Sequence, residues 1–202
     1  MSDLAALLAH PDIERIAQRL AEQPGRIVVP DTPARLAAVA LVLRATAEGA
    51  LELLMIRRAE HEGDPWSGHV ALPGGRHEPD DHDLRDTAVR ETLEETGIDI
   101  DASGRILGTL DDLHPRTAVL PPIVVRPYVG VVIPEVPIVP SEEVASAFWV
   151  PLRELREPGR WVDTDVPVRG TTLTVTAFRH GEHVVWGMTE RLLRQFLSLM
   201  VD

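Results

Sequence analysis

The chain contains no cysteine among its 202 residues, which excludes disulfides, thiolate catalysis and cysteine-based zinc sites. Positive charge is also scarce, with 20 lysines and arginines against 32 acidic residues and a formal net charge of -12. A surface that binds a nucleic acid or an anionic membrane needs an excess of basic residues, so this balance argues against both partners. An anionic substrate would instead need a metal ion or clustered arginines.

Long hydrophobic runs are missing as well. No stretch reaches the roughly 18 apolar residues that a membrane-spanning helix needs. Asp3 stands near the start and no basic region precedes an apolar run, so no secretory signal is evident and we expect a cytoplasmic protein. With 202 residues, 44% of them hydrophobic, the chain is long enough for one domain with a sizeable core.

The N-terminal stretch differs from the rest of the chain. Apolar residues recur at helical spacing through residues 2–21 with a break near Pro11, and a proline-containing linker follows up to Pro33. We therefore expect an N-terminal helical extension and linker over residues 1–33 and the main domain over residues 34–202. The extension packs either on that domain or on a second subunit, so a homodimer is one of the expected assemblies.

Strand signals dominate the main domain. Apolar runs bounded by turn residues predict strands at residues 36–44, 51–58, 69–72, 105–110, 122–133, 147–150, 171–178 and 183–186. One predicted helix ends at Gly97, and another begins at Thr189. Helices that pack on a mixed sheet make the expected fold class α+β.

The stretch from Leu72 to Ile98 carries the main functional pattern. It opens with a Pro-Gly-Gly turn, continues through an acidic loop and ends as a helix. Asp81 or Asp83 caps the helix at its start, and Gly97 ends it. The apolar residues on one side of this helix are expected to face the core; they are Leu84, Ala88, Val89 and Leu93.

Three glutamates of this helix are expected away from that apolar side. Glu91, Glu94 and Glu95 project from an arc of about 100°. Like charges at this spacing destabilise a bare helix by a few tenths of a kcal/mol per pair, whereas a hard divalent cation such as Mg2+ or Mn2+ stabilises a cluster of carboxylates. The alternative is a solvated acidic helix face.

The spacing resembles the motif of the Nudix hydrolase family, G-x5-E-x7-R-E-U-x-E-E-x-G-U, in which U is a bulky apolar residue. The matching residues are Gly75, Arg90, Glu91, Glu94, Glu95, Gly97 and Ile98. The chain departs from the motif at Thr92, where an aliphatic residue is usual, and in one extra residue before Arg90. Glu78, Asp81 or neither fills the first acidic position.

This resemblance implies a Nudix fold, an α/β/α sandwich with a mixed β-sheet, and an enzyme that hydrolyses a nucleoside diphosphate linked to another moiety. It implies that Glu91, Glu94 and Glu95 bind Mg2+ or Mn2+ and that the backbone carbonyl of Gly74 completes the site. Arg90 matches the arginine that holds the glutamates in place, and a plain salt bridge to Glu94 is compatible with that role.

The resemblance leaves the general base open. Some members of the family use a glutamate from a distant loop, and Glu142 and Glu143 lie in a loop before a predicted strand. Either acid suits the role, and either is explained equally well as a solvated loop residue.

Within the family, the pattern is most similar to the coenzyme A pyrophosphatase branch. Residues 53–57 and 66–75 keep the frame of that branch but differ from it at Met55, Trp66, His69 and Leu72. The implied substrate is a small nucleotide diphosphate: coenzyme A or a derivative first, ADP-ribose or another nucleotide sugar second, and a nucleoside triphosphate third. The alternative of another class is a Nudix-like module that senses a nucleotide without cleaving it, and the three retained glutamates favour the enzyme.

Four arginines are candidates for substrate phosphates, because arginine pairs bidentately with phosphate; they are Arg57, Arg58, Arg76 and Arg116. Trp66 is a candidate for stacking on an adenine. Its alternative role is packing beneath the loop.

Overall fold

The computed structural model of the chain describes residues 2–62, 66–115, 121–168 and 171–200. Two helices come first, α1 (Ser2–Leu8) and α2 (Pro11–Glu22). Seven strands of the described residues form the main sheet: β1 (Arg35–Ala45), β2 (Leu51–Arg58), β3 (Val70–Ala71), β4 (Gly74–Arg76), β5 (Gly104–Thr109), β6 (Ile123–Val132) and β7 (Val144–Pro151). Helices α3 (Leu84–Thr96) and α4 (Ile100–Ser103) lie between β4 and β5, and α5 (Leu152–Leu155) follows β7.

A second sheet follows the first. It contains β8 (Trp161–Val168), β9 (Thr171–His180) and β10 (His183–Val185), all antiparallel, and helix α6 (Gly187–Ser198) comes after it. The hairpin of β9 and β10 was predicted from the sequence, whereas β8 was not. This sheet extends the domain beside β3, against which β10 packs.

The main sheet is split between β1 and β2: the two strands pair near their turn and separate further along. These strands form the predicted hairpin and pair from Leu43↔Leu53 to Ala45↔Leu51. Further from their turn, β3 pairs with the end of β2, and β4 pairs with the first half of β1. The split thus brings the Gly-Gly turn to the middle of the sheet.

The sheet is mixed, as predicted. Its order is β3-β2-β1-β6-β5, with β7 paired to β2. β1 and β6 are parallel, and the other strand pairs of this sheet are antiparallel. Together with the helices on it, this sheet confirms the α+β class.

Helices cover both faces of the main sheet. Side chains alternate along a strand, so neighbouring residues of β1 and of β2 pack against different helices. Leu41 and Leu53 lie on one face, in a core shared with α2, α6 and Phe178. Ala40 and Leu54 lie on the other face, in a core shared with α3 and α4. This arrangement is the predicted α/β/α sandwich, and it puts the glutamate-bearing helix α3 on one side of the sheet.

The N-terminal segment packs on the main domain. Ile13, Ile16 and Leu20 of α2 are at most 2% exposed and lie in the same core as β1 and β2. The domain boundary at residue 33 stays a prediction. Within the described part of the chain, no helix is both long enough and apolar enough to cross a membrane.

Candidate active site

A glycine pair lies between β1 and α3. Gly74 has a φ of 152°, and a Cβ at this position would overlap the backbone of Ala38 and Val39 in β1. A Cβ on Gly75 would overlap the carboxylate of Glu91 on α3. Gly74 requires glycine, because a side chain would push β4 away from β1, whereas a side chain at Gly75 would displace the Glu91 carboxylate.

Helix α3 begins and ends where local sequence signals predict. The carboxylate of Asp83 accepts two backbone N–H groups of the first turn, at 2.8 and 3.0 Å, so Asp83 rather than Asp81 is the N-cap. Gly97 has a φ of 73° and donates its N–H to the carbonyl of Leu93. The left-handed conformation at Gly97 ends the helix.

The face that α3 buries differs from the predicted one. Leu84 and Ala88 are buried as expected, but Leu93 is 44% exposed and Glu95 only 3% exposed. The prediction for Leu93 is therefore wrong, and Glu95 does not lie away from the core. Thr92 is buried in place of an aliphatic residue, and its hydroxyl donates to the Ala88 carbonyl at 2.7 Å, which satisfies the polar group within the helix.

Arg90 organises the acidic cluster. Its guanidinium donates to Asp81 through Nε and Nη2 at 2.8 and 3.0 Å. Nη1 donates to Glu91 and Glu94 at 3.0 Å each, and Nη2 also donates to the carbonyl of Arg76 at 3.1 Å. A single side chain thus orients two glutamates and joins α3 to β4.

Asp81 is the acid that faces Arg90. Its side chain is only 4% exposed and also accepts the Thr87 hydroxyl at 2.8 Å and the Glu78 N–H at 2.9 Å. The hydrogen bond from Arg90 holds the pKa of Asp81 well below its usual value. Glu78 and Asp81 were the two candidates for the first acidic position of the motif. Of these, Asp81 forms the ion pair with Arg90.

Glu95 and Glu91 both lie beside the glycine pair; Glu95 is buried and the side chain of Glu91 is 15% exposed. Glu95 accepts the Gly74 N–H through Oε2 at 2.9 Å. Burial raises the pKa of Glu95 to about 7; the charges of Glu91 and Glu143 add to this effect, and Gly74 and Arg58 oppose it. Burial also raises the pKa of Glu91. Carboxylates with raised pKa values bind a cation favourably, because the cation supplies the missing opposite charge.

The proline-rich loop before β7 is attached to the C-terminal end of α3. The N–H groups of residues 139 and 141 donate to the carbonyls of residues 96 and 95 at 2.8 and 3.2 Å. Glu142 and Glu143 follow and are both exposed, and the Glu143 carbonyl accepts the Ala59 N–H at 2.8 Å. The charge of Glu143 raises the pKa of both Glu91 and Glu95, so Glu143 is within electrostatic reach of both glutamates.

Among residues 2–62, 66–115, 121–168 and 171–200, no three acidic or histidine side chains converge in the geometry of a metal site. In this arrangement Glu94 is paired with Arg90, and Glu95 with the Gly74 N–H. The donors nevertheless have the chemistry that Mg2+ and Mn2+ prefer, namely carboxylate oxygens beside a backbone turn. Glu94 is 57% exposed, so its carboxylate can rotate without disturbing the core.

Arg57 and Arg58 are neighbours on β2 but face opposite sides of the sheet. Arg58 lies on the side of α3, where its charge lowers the pKa of Glu95. Arg57 lies on the other side, where Nε donates to the Gly68 carbonyl at 3.4 Å and Nη2 is 3.5 Å from a carboxylate oxygen of Glu60. The two arginines therefore belong to different sites.

The remaining predicted substrate residues have separate surroundings. Arg76 is exposed on β4, directly after the glycine pair. Trp66 is 36% exposed, and its ring packs edge-on against His69 with centroids 5.8 Å apart. Arg116 lies outside the described residues.

A cavity of about 490 Å³ opens on the face where Arg57 lies, between β2, residues 67–70 and the second sheet. Arg179, His183 and Trp186 line it. These three residues were not predicted to belong to a site, because they are far from Arg57 in the chain and come close to it through the packing of β10 on β3. The one sequence signal was a tryptophan at a strand-to-helix junction.

Comparisons with known proteins agree with this architecture. A Nudix hydrolase from Alicyclobacillus acidocaldarius has a similar structure with a TM-score of 0.56 and 20% identity, covering 84% of this chain and 93% of that one. A MutT/nudix family protein from Enterococcus faecalis is similar with a TM-score of 0.54 and 18% identity, covering 87% of this chain and 65% of that one. At these identities the likeness shows the fold.

Sequence comparison shows the family. The profile of the NUDIX domain matches residues 33–168. The uncharacterized Nudix hydrolase NudL of Yersinia pestis (strain Pestoides F) is 34% identical over 143 residues, which cover 70% of this chain and 69% of the relative. The chain thus belongs to the Nudix hydrolase family.

Proposed function

We propose that this Nudix hydrolase is a metal-dependent pyrophosphohydrolase that cleaves the diphosphate of a nucleoside diphosphate linked to another moiety. The observation that carries this proposal is the position of two glutamates of α3 at the glycine turn: the Glu91 carboxylate lies against Gly75, and Glu95 accepts the Gly74 N–H at 2.9 Å. Burial raises both pKa values, that of Glu95 to about 7, so Glu95 can exchange its proton for a cation near neutral pH. Mg2+ and Mn2+ fit the all-oxygen donor set.

The metal-binding residues in this proposal are Glu91, Glu94 and Glu95, with the carbonyl of Gly74. When bound, the ion neutralises phosphate oxygens and lowers the pKa of the attacking water. Arg90 orients Glu91 and Glu94 from one guanidinium. It also remains positive throughout, so that it offsets the repulsion between the acids and an anionic substrate.

We assign the general base to Glu143 rather than Glu142. Glu143 is the acid of the loop whose charge acts on both Glu91 and Glu95. Its backbone carbonyl accepts the N–H of Ala59, directly after β2, and the residue is exposed to water. In this role Glu143 accepts the proton that the water loses as it attacks phosphorus.

Arg58 and Arg76 are the proposed phosphate contacts of this site. Arg58 lies on the side of Glu95, and Arg76 follows the glycine pair on β4. Arginine at these positions can bind the phosphate oxygens that the ion leaves uncovered. A role for Arg116 stays a prediction, as do a cytoplasmic location and a homodimer.

The leading substrate class is coenzyme A or one of its derivatives, because residues 53–57 and 66–75 keep the frame of the coenzyme A pyrophosphatase branch. ADP-ribose or another nucleotide sugar is the second candidate, and a nucleoside triphosphate the third. A nucleotide-sensing module is the alternative of another class. The three retained glutamates favour hydrolysis over sensing.

Product analysis on a small panel tests the proposal. The purified chain is incubated with Mg2+ or Mn2+ and coenzyme A, acyl-coenzyme A, ADP-ribose, NADH or a nucleoside triphosphate. Cleavage of coenzyme A to 3′,5′-ADP supports the leading class, and cleavage of another diphosphate alone moves the assignment to that substrate. If nothing is hydrolysed with either ion while a nucleotide still binds, the sensing module replaces the enzyme.

A matched pair of variants tests the base. We expect Glu143→Gln to lower kcat by about 100- to 10,000-fold, the usual range for general-base removal, while the affinity for Mn2+ changes little. Glu142→Gln is the control at the adjacent exposed position, and we expect its kcat to match that of the wild type. Equal losses in the two variants would contradict the assignment of Glu143.

A further inference from the structure

The cavity beside Arg57 lies outside the proposed catalytic residues, on the face of the sheet opposite α3. Its volume of about 490 Å³ lies within the range of small-molecule pockets. The end of β2 and residues 67–70 form one wall, and the second sheet forms the other through Arg179 of β9 and His183 of β10. Trp186, directly before α6, completes the lining.

Part of the lining is aromatic. The rings of His69 and Trp186 both line the cavity, with centroids 4.9 Å apart and planes inclined by 55°. Trp66 packs edge-on against His69 from outside the lining, so neighbouring rings restrain His69. Restrained aromatic surfaces of this kind stack on nucleobases.

The charged groups of the lining are balanced. Arg57 and Arg179 are its arginines, and Asp165 and Glu182 its acids. A site for phosphate alone needs an excess of cations, and a site for an acyl chain needs an apolar lining. This cavity instead offers donors, acceptors and aromatic surface together, which are the features that read the edge and the face of a nucleobase.

The cavity is one short segment away from the candidate metal site. Val70 lines the cavity, and Gly74 donates to Glu95. The chain between these two residues spans at most about 14 Å when fully extended. β3 and β4, at the ends of this segment, pair with β2 and β1 respectively, so the two sites are neighbours in the fold.

Part of the wall formed by the second sheet lies beyond the residues that match the family profile. The family profile ends at residue 168, whereas Arg179, His183 and Trp186 come later in the chain. Residues that a chain adds around a common catalytic core are where substrate selection differs between members of a fold.

We infer that this cavity is the subsite for the nucleobase of the substrate, which stacks on Trp186 and His69 and hydrogen-bonds to Arg179 and Glu182. The inference rests on the proposed diphosphate hydrolysis, because that reaction requires a substrate with a nucleoside end. With the base in the cavity, the diphosphate end of the substrate is directed towards Glu91 and Glu95.

Ligand binding without metal tests the subsite separately from catalysis. Saturation-transfer NMR on the full chain in EDTA, with adenosine, guanosine and inorganic pyrophosphate as probes, reports weak binding directly. We expect a nucleoside to bind and pyrophosphate not to compete with it. Arg179→Gln and Glu182→Gln change exposed residues and keep the shape of the lining, and each is expected to weaken nucleoside binding by about 10-fold.

Arg156→Gln is the matched control, an exposed arginine outside the cavity, and its nucleoside affinity should equal that of the wild type. Trp186→Leu should also weaken nucleoside binding by about 10-fold, because the ring on which the base stacks is removed. Nucleoside binding that survives both Arg179→Gln and Glu182→Gln unchanged overturns the subsite. Binding of pyrophosphate alone, or of no nucleoside, overturns it as well.

Turnover data separate this inference from the proposed function. On any diphosphate that the chain hydrolyses, Arg179→Gln should raise KM about 10-fold with kcat retained, because the contact is equal in ground state and transition state. Hydrolysis with an unchanged KM in this variant rejects the subsite and keeps the enzyme. Nucleoside binding without hydrolysis of any panel member keeps the subsite and rejects the enzyme.

Discussion

The buried carboxylate of Glu95 makes a quantitative prediction about stability. In the metal-free protein its pKa rises from the ordinary value of 4.5 to about 7. The unfolded chain therefore releases this proton at a lower pH than the folded chain does. Between these two pH values the folded state binds more protons, so the free energy of unfolding falls as the pH rises. The full shift corresponds to about 3 kcal/mol, at about 1.4 kcal/mol per pH unit.

The variant Glu95→Gln removes this ionisation and keeps an oxygen that can accept the Gly74 N–H, which lies 2.9 Å from Oε2 in the wild type. Urea unfolding in EDTA at about pH 5.5 and about pH 8 measures the effect. Most of the interval between the two pKa values lies in this window. From about pH 5.5 to about pH 8 the free energy of unfolding of the wild type should therefore fall by about 2 kcal/mol more than that of Glu95→Gln. Mg2+ should then stabilise the wild type at pH 8 and leave the variant unchanged.

Glu142→Gln serves as the control, because Glu142 is exposed and its removal should leave the pH dependence of the wild type. Other acids titrate in both proteins, so the informative quantity is the difference between wild type and variant. If the unfolding free energies of the wild type and Glu95→Gln in EDTA change in parallel over this pH window, burial does not raise the pKa of Glu95 and the reasoning is refuted.

Three further substitutions test the acidic cluster. Asp81→Asn removes the buried partner of Arg90 and should lower the free energy of unfolding by about 3 kcal/mol in urea titrations; a loss below about 0.5 kcal/mol would show that the pair is not structural. Gly75→Ala places a Cβ against the Glu91 carboxylate and should weaken Mn2+ binding by about 10- to 100-fold, measured by electron paramagnetic resonance, with an unchanged circular dichroism spectrum. Glu94→Gln should abolish turnover and leave the fold intact, because this side chain is exposed; a wild-type rate would contradict its role as a metal ligand.

Local features of the site follow from the sequence. The N-cap and the C′ glycine limit α3 through hydrogen bonds that span only a few residues, and Asp83 and Gly97 act as predicted. The antiparallel pairing of β1 with β2 follows from a short turn between two apolar runs. β8 was missed because Thr164 and Val166 are its only buried residues and Pro167 lies inside it, so its apolar pattern is short and interrupted.

The direction in which each side chain faces was decided by the tertiary structure. Leu93 is exposed and Glu95 buried because α3 lies against the split sheet, where Gly74 supplies an N–H to Glu95. A helical wheel gives the angles between residues but not which arc meets another element. Arg57 and Arg58 were predicted to share a role, and the alternation of β2 separates them onto two faces.

The sequence by itself determined the glycine turn, the arginine and the glutamates on one helix, because the chemistry of a motif is encoded in residue types at fixed short spacings. Only the tertiary structure brought Asp81 to Arg90 as an ion pair and Glu143 into electrostatic reach of Glu91. It also closed a cavity between Arg57 and residues of the second sheet. Such contacts join residues distant in the chain, and their free energy depends on burial, which exists only once the sheet, the helices and the loops have packed.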